Sequence, residues 1–120
     1  MTRLLDSFYF NFFLSLLWII VSVYFFSSKF DINGTKSFSL QDKFFHFFDF
    51  FIMSYLVLRT LKKSNLVYNL NSKIITLVLL LLFSIMVEYN QSFISYRTFD
   101  IHDMISNMLG VIASYFVKIK

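Results

Sequence analysis

Seven side chains able to bind or move charge, Lys43, His46, Glu88, Gln91, Arg97, Asp103 and Asn107, lie within or at the edges of hydrophobic segments. Such groups are costly in a membrane, so where they occur they face a protein interior or a wet cavity. Lys43 and His46 are three apart, Glu88 and Gln91 three apart, and Asp103 and Asn107 four apart, so each pair shares one face of a helix. Turned to one pocket, Lys43 and Arg97 would balance Glu88 and Asp103. Lys43 and His46 suit an anionic or carbonyl-bearing ligand. Glu88 suits a general base, a metal ligand or a proton carrier, and Arg97 a bidentate clamp on phosphate or carboxylate. Each also has a plainer reading. Lys43 could snorkel to the interface, Glu88 could be a structural ion pair, Arg97 could be a solvated charge, and Asp103 with Asn107 could cap a helix. His102, His46, Glu88 and Asp103 together could bind zinc. No two histidines have the HExxH spacing, so neither a metal nor another cofactor is expected.

The elements that carry these residues must be helices in a bilayer. The chain has 120 residues, 58% hydrophobic and 15% charged, against about half apolar and a quarter charged in a soluble domain. One compact unit, residues 1–120, fits the length. With no Cys, disulfides, thiolate catalysis and Cys-ligated metals are excluded. The net charge of +4 sits in short clusters at segment ends, which fits membrane topology and argues against nucleic acid. Phosphate loops, dinucleotide motifs and nucleophile elbows are missing.

Four helices are expected, at about residues 7–28, 43–60, 72–92 and 102–118, making an all-α, four-helix transmembrane bundle. The first holds no charge, is long for a signal peptide and has no clear cleavage site. A short interfacial stretch is expected near residues 37–45. With both termini cytoplasmic, Arg3, Arg59, Lys62, Lys63, Lys73, Lys118 and Lys120 lie inside and Lys29, Lys36, Lys43 and Arg97 outside, which the positive-inside rule favours. Measured from the inner basic anchors, Glu88, Asp103 and His46 all fall roughly 20–22 Å up their helices. That common depth points to one outward-facing pocket. The run Phe44, Phe45, Phe47, Phe48, Phe50 and Phe51 reads as lipid-facing or packing surface, and mid-helix Asp49 either as a partner for His46 on the adjacent turn or as an idiosyncrasy of this chain.

Asp42, Lys43, His46 and Phe47, followed by Glu88, Gln91, Arg97, Asp103, Asn107 and Gly110, resemble the two signature regions of the VanZ-like family of small bacterial membrane proteins. Phe50 stands where that family often has Tyr. The resemblance implies a multi-pass protein of the bacterial cytoplasmic (inner) membrane, in a family whose founding member is associated with resistance to the glycopeptide teicoplanin. The expected partners are the lipid bilayer and a cell-envelope component, either a lipid headgroup or a peptidoglycan precursor, held in the polar pocket. The alternatives are an intramembrane enzyme acting on a lipid-linked substrate and, behind it, a proton-coupled transporter. The reading leans away from an enzyme, and the sequence does not set an oligomeric state.

Overall fold

A computed structural model describes residues 3, 6–27, 40–64, 67–91, 93 and 101–119, with the side chains of residues 26, 27, 40, 41 and 91 left out of the description. Four helices follow one another: α1 (Phe8–Ser27), α2 (Leu40–Lys63), α3 (Leu70–Gln91) and α4 (Ile101–Tyr115). No strand occurs among the described residues.

Local chemistry sets several ends. α3 opens on a reciprocal cap: Ser72 N–H donates to Asn69 Oδ1 at 2.9 Å, and Asn69 N–H donates to Ser72 Oγ at 3.0 Å. α2 carries Asp42 in its first turn and Lys62 and Lys63 in its last, matching the helix dipole at both ends. α4 tightens as it stops, with Phe116 N–H donating to Ala113 O and Val117 N–H to Ser114 O. Lysines from other helices then take carbonyls there: Lys73 Nζ donates to Tyr115 O at 2.9 Å, and Lys62 Nζ donates to Ile119 O.

These contacts define an up-down-up-down arrangement. α2 lies parallel to α4, pinned by Lys62–Ile119 at one end and Lys43–Asp103 at the other. α4 packs most extensively on α2, α1 packs on α2, and α3 packs chiefly on α4. Lys63 Nζ meets Asp6 Oδ1 at 2.9 Å, which ties the start of α1 to the end of α2 and holds the Asp6 carboxyl below its ordinary pKa.

The burial pattern is inverted relative to a soluble bundle. Buried positions among the described residues hold eleven polar side chains and eight apolar ones. The large apolar side chains are turned out, among them Phe12, Leu16, Ile20, Leu79, Leu82 and Met86. A surface of that kind is stable only against hydrocarbon or a partner. α1, α2 and α3 each contain a window long and apolar enough to cross a membrane, Phe8–Phe25, Asp42–Lys63 and Leu70–Asn90. With 15 residues, α4 reaches about 22 Å and is shorter than those three.

α2 departs from the expected outline. Residues 40–45 continue its helix instead of forming a separate interfacial stretch. Lys43 sits within it because Asp103 of α4 answers its charge, which hydropathy along the sequence cannot register.

Candidate functional site

At the end of the bundle away from Lys62, Lys63 and Lys73, the first turns of α2 and α4 meet. Gly110 permits it. A Cβ built there would collide with the Phe47 carbonyl oxygen and lie 3.0 Å from the Phe51 backbone nitrogen, so the backbones touch where only hydrogen fits. On α4, the buried residues Asp103, Asn107, Gly110, Val111 and Ser114 recur every three or four positions and form one stripe against α2.

Across this seam the charged groups pair. Lys43 Nζ forms an ion pair with Asp103 Oδ1 and lies 3.6 Å from Asp42 Oδ2. His46 Nδ1 lies 2.8 Å from Asn107 Oδ1. A carbonyl oxygen only accepts, so Nδ1 carries the hydrogen and donates. His46 Nε2 then lies 3.5 Å from Asp103 Oδ2 and 3.9 Å from Asp42 Oδ1. Each carboxylate thus offers one oxygen to Lys43 and the other toward the imidazole. His46, Asp103 and Asn107 are buried, and Asp42 is exposed. Asn107 Nδ2 is buried with no hydrogen-bond partner among the described residues, which leaves a donor for a further acceptor.

Of the seven residues singled out by spacing, the structure brings Lys43, His46, Asp103 and Asn107 into one network. Glu88 is completely buried near the end of α3. Lys73, at the other end of α3, reaches Tyr115 at the end of α4, so Glu88 and Asp103 belong to the same end of the bundle. The Gln91 side chain and Arg97 lie outside the described residues. Asp42, which sequence reasoning had placed only in a motif, is a member of the cluster. Its spacing of four from His46 was the available signal.

Asp49 makes its hydrogen bonds to α1. Its Oδ1 accepts a hydrogen bond from Ser22 Oγ of α1 at 2.8 Å, and its carbonyl accepts one from Trp18 Nε1 at 3.2 Å. With the 2.8 Å contact between Ser15 and Thr60 hydroxyls, it forms a polar seam between α1 and α2. The spacing of Asn11, Ser15 and Ser22 along α1 marked that face, although the segment reads first as an uninterrupted span. Phe50 is completely buried against Phe83, with ring centroids 6.3 Å apart, and Phe44, Phe45 and Phe48 point outward.

Chemically, the cluster is an ammonium held by two carboxylates beside an imidazole fixed by an amide. With the imidazole singly protonated, Asp42, Asp103 and Lys43 leave it one negative charge in excess. One ligand atom each from Asp42, His46 and Asp103 lies within 4.8 Å of the others. A family model described as VanZ/LLP1 matches residues 8–119. No curated protein and no solved structure matches the chain.

Proposed function

The chain belongs to the VanZ/LLP1 family, and from that premise we propose that its four helices all cross the bacterial cytoplasmic membrane, with both termini inside, and present a polar pocket outward to bind a cell-envelope component. The convergence of Lys43, His46, Asp103 and Asn107 from two helices, at one end of a bundle with apolar outer faces, carries this reading. In a bilayer such a group is retained only where its cost is offset, and a wet pocket meeting a ligand offsets it. The amide Nδ2 of Asn107 supplies a donor to a ligand oxygen, and His46 and Lys43 fix the ligand's position. Glu88, Gln91 and Arg97 join the same pocket on the strength of their place in the sequence, at or just beyond the end of α3.

α4 crosses by being short. Its outer face carries Ile101, Ile105, Leu109, Ile112 and Phe116, a continuous apolar stripe opposite the buried polar one. A helix of about 22 Å spans where the hydrocarbon is thinned or where its first turn opens into a wet entrance. The preferred ligand is the phosphate-bearing headgroup of an envelope lipid or of a lipid-linked cell-wall precursor. Lipids co-purifying with the mildly extracted protein, identified by mass spectrometry, test this. One headgroup class should be enriched over bulk membrane with the wild type and lost with His46→Ala. Matching profiles for the two proteins would overturn the pocket.

A further inference from the structure

We propose that Asp42, His46 and Asp103 form a three-ligand site for one divalent transition-metal ion of the zinc class. The proposal goes beyond headgroup binding, and either can fail alone. Its first support is the set of distances. A tetrahedral ion with bonds of about 2.0–2.2 Å separates its ligand atoms by about 3.3–3.6 Å. His46 Nε2 lies 3.5 Å from Asp103 Oδ2 and 3.9 Å from Asp42 Oδ1. Those gaps are too long for direct hydrogen bonds and close to the edge of a metal tetrahedron.

A second, independent support is the orientation of the ring. Metal-bound histidines donate their other ring N–H to a carbonyl or carboxylate, which fixes the tautomer. Here Nδ1–H donates to the buried amide oxygen of Asn107 at 2.8 Å. The Nε2 lone pair is thereby turned to the side where Asp42 Oδ1 and Asp103 Oδ2 converge. A cation placed between these three atoms would be drawn by all of them. The remaining oxygens, Asp42 Oδ2 and Asp103 Oδ1, are the ones directed to Lys43. Lys43 therefore pairs with the carboxylate oxygens other than those nearest Nε2, and it competes with the ion through their shared charge.

One imidazole and two carboxylates suit zinc or manganese better than calcium, which prefers more numerous oxygen ligands. Entry is from the side of Asp42, whose side chain is 54% exposed. Three protein ligands leave one position open. The ion changes the cluster from one excess negative charge to one excess positive charge, so that open position suits an anionic oxygen such as a phosphate.

Calorimetric titration of the full chain, stripped with chelator in detergent, tests the site with Zn2+ and with Ca2+ as comparison. We expect one Zn2+ per chain, far weaker Ca2+, and at least a tenfold loss of Zn2+ affinity in Asp42→Asn. Asp42 is exposed, so that variant keeps its fold, and thermal unfolding of the apoprotein verifies it. Lys43→Met should bind Zn2+ more tightly than wild type, an effect that a purely structural ion pair does not produce. His102→Ala should leave the affinity unchanged. Absence of Zn2+ binding, equal affinity in Asp42→Asn, or loss of binding in His102→Ala would each overturn the proposal. Zn2+ binding with no selective lipid leaves the metal site and removes the headgroup reading; selective lipid retained after chelation, without Zn2+ binding, does the reverse.

Discussion

At the level of single residues, the network rests on unequal partners. Asn107 is the acceptor for the His46 Nδ1 hydrogen, and both are buried. Asn107→Ala strands that donor, so the chain should lose about 1–3 kcal/mol of stability in detergent, measured by denaturant unfolding. An unchanged midpoint would mean that His46 finds another acceptor. The Lys43–Asp103 pair is more consequential, since each side chain is only 12% exposed. Lys43→Met leaves a nearly buried carboxylate uncompensated and should cost about 3–5 kcal/mol. Adding Asp103→Asn to it should recover much of that loss, and a double-mutant cycle reads the coupling directly. Spacing along the chain identified these residue types and the faces they share. It did not determine which acid Lys43 would meet, because that choice depends on how α2 docks against α4. The same limit explains Asp49, whose partner Ser22 is on α1, 27 positions away.

The helices themselves were legible where one physical signal dominated. α1 and α3 follow from uninterrupted apolar runs. The early start of α2 did not, since Asp42 and Lys43 look like a boundary until Asp103 of α4 is in place beside Lys43. The sequence places Gly110 in the second signature region but does not tell which backbone it meets. Its neighbours are the Phe47 carbonyl and the Phe51 amide, main-chain atoms that cannot swing aside as a flexible side chain would. Gly110→Ala must then push α4 away from α2, and we expect about 1–3 kcal/mol of destabilisation from the overpacking. Because the seam also sets the distance between His46 and Asp103, the same variant should weaken binding at the cluster without altering any polar residue. A Gly110→Ala protein with wild-type unfolding would show that α2 and α4 have room to separate.

For the whole molecule, the distribution of charge separates two ends. Lys62, Lys63 and Lys73 gather where α2 ends, α3 begins and α4 ends, bound to Asp6 and to the last carbonyls of α4. The mixed cluster of Asp42, Lys43, His46 and Asp103 occupies the other. Hydropathy made the membrane-length helices α1, α2 and α3 readable from the chain. The crossing proposed for α4 rests on more than its own sequence, because a 15-residue helix needs its neighbours and the local bilayer to complete a span. Topology can be mapped directly, since the chain has no native cysteine. Val67, Phe93 and Lys118 are exposed and lie between α2 and α3, just after α3, and after α4. In intact cells, a membrane-impermeant maleimide should label Phe93→Cys, and should reach Val67→Cys and Lys118→Cys only after permeabilisation, as the positive-inside rule requires of the basic end. If Lys118→Cys were labelled together with Phe93→Cys, α4 would begin and end on one side, and the bundle would have three spans with its fourth helix re-entrant or lying at the surface. If Val67→Cys and Lys118→Cys were the accessible pair, the cluster would open to the cytoplasm, and an envelope ligand from outside could not reach His46.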